Sequence, residues 1–218
     1  MRQFAIGDIH GCLTALKRLD QELEFRPTDT VITLGDYVNR GPDSRGVIDY
    51  LIELRSRCHL VTLRGNHEVM MLGARNDRSA LMEWISCGGD KTLDSYNATT
   101  FANVPQSHWD FLEATRPYNE APRDFFVHAN ASPDLPLPEQ PDYMLYWEHL
   151  GNPAPHQSGR RMICGHTPQK SGRPLDLGHT VCIDTHAHKG AWLTCLETRT
   201  NVYWQASQKG DLRCDSLP

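Results

Sequence analysis

The sequence has no excess of basic charge, no paired-cysteine motif, no long apolar run and no internal repeat. Each absence removes a class of function. With 22 lysines and arginines against 27 acidic residues, the formal net charge is −5. No basic field for duplex binding is present, and no nucleic-acid partner is expected. The 7 cysteines are odd in number and form no CxxC pair. Cys164, Cys182 and Cys195 sit inside apolar runs and read as buried thiols, which suits a reducing compartment. No stretch approaches the roughly 20 apolar residues of a bilayer span, so no membrane partner is expected. Met1 leads directly into a strand-like run without a charged-then-apolar targeting segment, and a cytoplasmic location is expected. What is present is ordinary globular composition, 39% hydrophobic and 22% charged over 218 residues, enough for one substantial core.

The first third alternates between two periods. Gln3–Ile6 reads as a strand, and Leu13–Glu24 as a helix with Leu13, Leu16, Leu19 and Leu23 on one face. Thr30–Leu34 and Leu60–Leu63 are further strands. Between them a helix is expected to start at Pro42 and to carry Val47, Ile48, Leu51, Ile52 and Leu54. This β-α-β-α-β order argues for parallel pairing. Helices are expected over Asn66–Gly73, Ser79–Ser86 and Gln106–Glu113, and strands over Asp124–His128, Arg161–Cys164 and Thr180–Asp184. Trp192–Leu196 and Val202–Gln205 read as a hairpin. "SPDLPLPEQP" (132–141) and "GNPAPHQSG" (151–159) are loops. A single domain over 1–218 is expected, with a helical and loop cap around 74–120 and 132–160.

Three strands end alike: "GDIHG", "GDYVNRG" and "RGNHE". Two later ones end "FFVHAN" and "MICGHT". In open α/β sheets ligands bind at the carboxyl ends of strands, so Asp8, His10, Asp36, Asn66, His67, His128 and His166 should converge. A lone "GD" after a strand is usually a turn, and a lone His at a strand end is usually structural. Five such events of this composition are hard to explain as turns. Asp8, His10, Asp36, Asn66, His128 and His166 form a mixed nitrogen and oxygen donor set suited to manganese, iron, zinc or cobalt rather than calcium. Six donors exceed what one ion needs if it is to keep open positions. Two ions sharing a carboxylate is the economical arrangement, and such pairs serve phosphoryl transfer to water.

These blocks, in this order and at these intervals, resemble the signature motifs of the phosphoprotein phosphatase branch of calcineurin-like metallophosphoesterases. With "GGDKTLDSY" (88–96) and "IDT" (183–185), the chain is similar to compact bacterial and phage-type serine/threonine phosphatases and to symmetrical diadenosine tetraphosphatases. The resemblance implies an α/β (α+β) fold of two mixed β-sheets packed as a sandwich flanked by helices. It implies that Asp8, His10 and Asp36 hold one divalent ion, and that Asp36 bridges to a second held by Asn66, His128 and His166. Manganese is the expected metal, with iron, zinc, cobalt or nickel as alternatives. His67 is implied as the proton donor to the leaving oxygen and Arg40 as a phosphate ligand. Water shared by the two ions attacks directly, with no covalent phosphoenzyme.

Three departures from the family pattern stand out. Asn39 replaces an aspartate that partners the donor histidine; an amide can accept a ring N–H through its oxygen but lends no charge. After Trp147 stand Glu148 and His149 where a second phosphate-binding arginine is expected nearby, with Arg160 or Arg161 as substitutes. "IDTHAHKG" carries His186, His188 and Lys189 where glycine follows the threonine. Arg64, His149 and His186 are therefore candidate substrate contacts alongside Arg40. The expected activity is hydrolysis of phosphoserine and phosphothreonine, and of phosphotyrosine, in a phosphoprotein or small phosphoester. The alternative is a symmetrical dinucleoside polyphosphate hydrolase, for which Trp84, Tyr96, Phe101 and Trp109 are candidate base platforms. A metal-bound pseudoenzyme serving as a binding module is disfavoured, because the whole ligand set and His67 are intact.

Overall fold

Side-chain alternation decides the layers. In the first strand, β1 (Gln3–Ile6), Phe4 and Ile6 face one way and Ala5 the other, and all three are buried. A strand buried on both faces needs a layer on each side. The computed structural model, which describes Met1 to Pro218, supplies both.

The remaining strands are β2 (Thr30–Thr33), β3 (His59–Thr62), β4 (Tyr118–Glu120), β5 (Asp124–Val127), β6 (Arg161–Cys164), β7 (Leu175–Asp176), β8 (Thr180–Cys182), β9 (Leu193–Glu197), β10 (Val202–Ala206) and β11 (Leu212–Ser216). They form two mixed sheets, in the orders β11-β10-β9-β1-β2-β3 and β4-β5-β6-β8-β7. β1, β2 and β3 are mutually parallel, as are β5, β6 and β8. β9, β10 and β11 run as an antiparallel meander that docks on β1 through Ala5↔Leu196.

Ala5, Ile32, Leu34, Val61, Phe126, Ile163, Val181, Ile183 and Leu196 meet between the sheets. Phe4, Ile6 and Val31 face outward onto α1 (Leu13–Leu23) and α2 (Ser44–Leu54). Phe125, Val127, Met162, Cys164 and Cys182 face outward from the second sheet. Truncating a fully buried ring such as Phe126 to alanine would cost about 3–5 kcal/mol.

Helix α2 begins at Ser44, two residues after the expected Pro42. Asp43 caps it by accepting from Gly46 N at 2.8 Å, and that bond fixes the start. The helices α3 (Asn66–Ala74), α4 (Arg78–Trp84), α5 (Asp90–Ser95) and α6 (Gln106–Glu113) follow, with a π-helical turn at Ile85–Gly89. Trp84, Trp109 and Phe111 from this segment join the same core as Phe4 and Leu16. The segment 74–120 packs onto the first sheet, and its π-turn and the start of α5 reach the strand ends, where Arg40 N donates to Gly88 O at 3.1 Å and Asn39 N to Thr92 Oγ1 at 2.8 Å. After α7 (Asp142–Tyr146), Leu145, Tyr146 and Leu150 cover the outer face of the second sheet together with Leu137 of the proline-rich loop.

Candidate active site

Because both parallel sets run the same way within their sheets, five strand-end loops gather at one edge. Their backbone is unusual. His10, Asp36, Asn39, Arg40, His166 and His186 all have left-handed φ, between 43° and 70°. Such φ values in non-glycine residues are uncommon and costly, and they persist where surrounding structure over-determines them. Glu68 is a large part of that structure. It is fully buried, and its two oxygens accept from Asp36 N at 2.7 Å, Tyr37 N at 2.8 Å, Gly65 N at 2.9 Å and Val38 N at 3.3 Å. Gly65 lets the loops close: a Cβ there would lie 2.1 Å from Asp36 Oδ1.

Three histidines are fixed in tautomer by main-chain carbonyls. His10 Nδ1 donates to Val38 O at 2.9 Å, His128 Nδ1 to Leu34 O at 2.8 Å, and His166 Nε2 to Trp147 O at 3.1 Å. In each neutral ring the other nitrogen is then a lone pair aimed inward. Those lone pairs meet acceptors. His128 Nε2 lies 3.1 Å and His166 Nδ1 3.2 Å from Asn66 Oδ1. His10 Nε2 lies 3.2 Å from Asp36 Oδ2 and also accepts from Arg40 Nη1 at 3.2 Å, and His128 Nε2 lies 3.5 Å from Asp36 Oδ1. Acceptors facing acceptors in a buried site fit a cation between them.

Charge points the same way. Asp8, Asp36 and Asp184 are all buried, and none is paired with a lysine or arginine. Burial, then repulsion from Asp184 and Asp36, holds the Asp8 carboxyl well above the usual range. Burial also raises Asp36, but the fields of His128, His67 and His10 outweigh it and hold that carboxyl well below the usual range. Burial pushes His166 down to about 4. A metal ion would require an ionised carboxylate and unprotonated ring nitrogens here. Two groups of potential ligands share Asp36: His10, Asp36 and His67, and Asp36, His128 and His166.

The structure does not place every candidate alike. Asp8 stands apart from both triads, its two oxygens accepting from His166 N at 3.1 Å. Asn39 presents its amide nitrogen, not its oxygen, to His67: Nδ2 lies 2.8 Å from His67 Nδ1, while Oδ1 accepts from Thr92 Oγ1 at 2.9 Å. This corrects the expected polarity. The ring proton of neutral His67 is left on Nε2, which is buried, has no partner and lies 3.9 Å from Asp36 Oδ2. Burial pushes His67 down to about 3, more than the Asp36 charge lifts it.

Arg40 is exposed, and its guanidinium has no carboxylate partner. Arg64 is not at the site. Its guanidinium binds Thr115 Oγ1 at 2.9 Å and the carbonyls of Leu112, Glu113 and Thr115, holding the end of α6. Arg161 begins β6 and Arg160 precedes it, at the end opposite His166; they pair with Asp124 and Glu120 respectively, so neither supplies the second arginine. His149 is exposed and stacks on His166 with ring centroids 4.8 Å apart. His186 lies at the rim, edge-on to His188, which in turn packs edge-on against His10 at 4.7 Å. The roles of Glu68 and Asp184 escaped sequence reasoning, although each lies within a signature block, "RGNHE" and "IDT".

Residues 1–193 match the family described as "Calcineurin-like phosphoesterase". The chain is 39% identical over 88 residues to serine/threonine-protein phosphatase 1 of Salmonella typhimurium, covering 40% of this chain and 38% of that protein. It is 41% identical over 140 residues to the symmetrical bis(5'-nucleosyl)-tetraphosphatase of Pseudomonas entomophila, covering 63% of this chain and 45% of that protein. The chain thus spans less than half the length of these curated relatives. In fold it is similar to a cold-active protein tyrosine phosphatase, with a TM-score of 0.72 at 15% identity over 98% of this chain and 78% of that one. Since the matched span takes in every strand-end block from "GDIHG" to "IDT", the chain belongs to the calcineurin-like phosphoesterase family.

Proposed function

We infer that this chain is a metal-dependent phosphomonoesterase of phosphoserine, phosphothreonine and phosphotyrosine residues in proteins. The observation that carries the reading is the set of three tautomer-locked histidines whose lone pairs converge with Asn66 and Asp36. Asp8, His10, Asp36, Asn66, His128 and His166 would hold two divalent ions, manganese by preference. Bound there, the ions neutralise phosphoryl charge and make water acidic enough to supply the nucleophile at neutral pH. Arg40 offers a forked donor set matched to phosphoryl oxygens. His67, whose buried Nε2 has no partner, would give its proton to the leaving oxygen. Full protonation of that ring would need a second proton on Nδ1, where the Asn39 amide already donates. The residues therefore favour leaving groups that depart with little proton transfer.

A second reading, hydrolysis of a symmetrical dinucleoside polyphosphate, draws support from the same point, because a phosphate leaving group is already acidic. Against it, Trp84, Tyr96 and Trp109 are buried, and the half-buried Phe101 packs its ring on Trp84 and Trp109, so they offer little platform for a base. The test strips the protein of metal, restores Mn²⁺, and compares a phosphoserine peptide, a phosphotyrosine peptide, an aryl phosphate and diadenosine tetraphosphate. Preference for the phosphopeptides supports the first reading, and a wide preference for the dinucleotide supports the second. Metal uptake without turnover of any of the four would make the chain a binding module.

A further inference from the structure

Beside Arg40 lies a cavity of about 690 Å³ whose lining includes Gly88, Lys91, His186, His188 and Lys189. No carboxylate lines it. In a chain of net charge −5, a pocket with three cationic side chains and no anionic one is a local inversion of sign.

The pocket is built from three anchored segments. The Arg40 turn is tied to the π-turn by Arg40 N→Gly88 O at 3.1 Å. Gly88 has φ 96°, and a Cβ there would lie 3.0 Å from Arg40 N, so the two segments touch. The third segment, 186–190, is closed at its base by Thr185 Oγ1→Trp192 O at 2.6 Å and Trp192 N→Thr185 O at 3.3 Å. His186 itself is held in left-handed backbone by its N–H on Asp184 Oδ1 at 3.0 Å. Lys189 has no ion-pair partner. Lys91 is 2.9 Å from Asp94 and 3.6 Å from Asp90, but both pairs are exposed and weak, and its ammonium can swing to a stronger anion. Burial lowers the His186 pKa; the Asp184 carboxylate opposes this, and Lys189, Arg40 and Lys170 each push it further down.

We propose that this pocket is a second anion subsite, in which Lys91, Lys189 and His186 take a phosphate group that the substrate carries in addition to the one cleaved. The inference rests on the phosphatase reading above and narrows it to multiply phosphorylated substrates. Adjacent phosphorylated residues of a protein and a second phosphate of a nucleotide share this chemistry.

The test uses Mn²⁺-loaded protein and two matched pairs: one peptide bearing one or two neighbouring phosphoserines, and adenosine 5'-phosphate against adenosine 3',5'-bisphosphate. At least one doubly phosphorylated member should have kcat/KM about tenfold higher, through KM, with roughly threefold from each lysine. The pair that shows the gain identifies the source. In Lys91→Ala/Lys189→Ala the preference should fall below about twofold. A wild-type preference under twofold for both pairs, or one that survives the double substitution, overturns the subsite. Equilibrium titration of the non-hydrolysable phosphonate counterparts reads the same preference without turnover. Absence of hydrolysis would then count against the phosphatase reading alone.

Discussion

Asn39→Asp replaces an amide nitrogen by an oxygen at one atom, 2.8 Å from His67 Nδ1. The change is nearly isosteric. Asp tolerates the left-handed backbone at φ 70°, and the other oxygen keeps its bond from Thr92 Oγ1. The polarity inverts: an acceptor now faces Nδ1, so the ring must carry a proton there. An opposite charge within about 4–6 Å moves a pKa by about 1–3 units. Each unit is worth about 1.4 kcal/mol in favour of the imidazolium. At neutral pH the charged, proton-giving form of His67 should therefore rise by roughly one to three orders of magnitude, starting from a ring that burial now holds near about 3. A seryl oxyanion is a poor leaving group and should benefit, with kcat on a phosphoserine peptide up by about tenfold or more at pH 6–7. A nitrophenolate departs without help, and p-nitrophenyl phosphate should change by less than about twofold. Both kcat values, measured with Mn²⁺ across pH 5.5–8.5, give the ratio, and ¹⁵N shifts of the His67 ring report its protonation independently. Equal gains on the two esters, or a seryl gain with an unchanged ring, would refute the reasoning.

Other consequences are simpler to read. Glu68→Gln puts an NH₂ against main-chain donors that the carboxylate now satisfies, and should cost about 2–4 kcal/mol, seen as a lower melting temperature. Gly65→Ala drives a methyl into Asp36 and should abolish uptake of the second equivalent of Mn²⁺ by titration while the far-UV spectrum is kept. Because three buried carboxylates lack cationic partners, chelation should lower the melting temperature. Free Mn²⁺ at about a hundred times its Kd should restore about 2.7 kcal/mol. Burial raises the Asp29 carboxyl, but the Arg2 guanidinium and the Arg26 N–H outweigh it and leave it below its ordinary value of 3.8. Its contribution is thus present above that value and lost as pH falls through the lowered one. The stability gap between wild type and Asp29→Asn, from urea melts, should accordingly close in acid.

The legible parts of the sequence were those where one periodicity dominates. Gln3–Ile6, Arg161–Cys164 and Gln106–Glu113 fold over the expected residues because their apolar spacing admits one element. β11 was missed because Leu212–Ser216 is mostly polar; it is an exposed edge whose pairing with β10 is decided by the backbone. β7 has two residues and α7 five, too few to show a period. At the site, residue types at strand ends were readable, but directions were not. Arg64 adjoins "GNHE" in sequence, yet its side chain leaves towards α6. The Asn39 amide is oriented by Thr92, 53 positions away, which no local motif encodes.

The return of β9 to β1 carries a consequence for synthesis. A nascent chain that has emerged only as far as Gly190 already contains all the acidic and imidazole groups of the pocket. It lacks the strand that pairs with β1 through Phe4↔Glu197, so the sheet holding Asp8, His10 and Asp36 keeps an open edge. Pairings this remote in sequence form late. Ribosome-stalled chains ending before residue 193 should accordingly take up no Mn²⁺, and chains long enough to expose β9 and β10 should capture it. Pairing of β9 with β1 would thus be the step that readies the pocket.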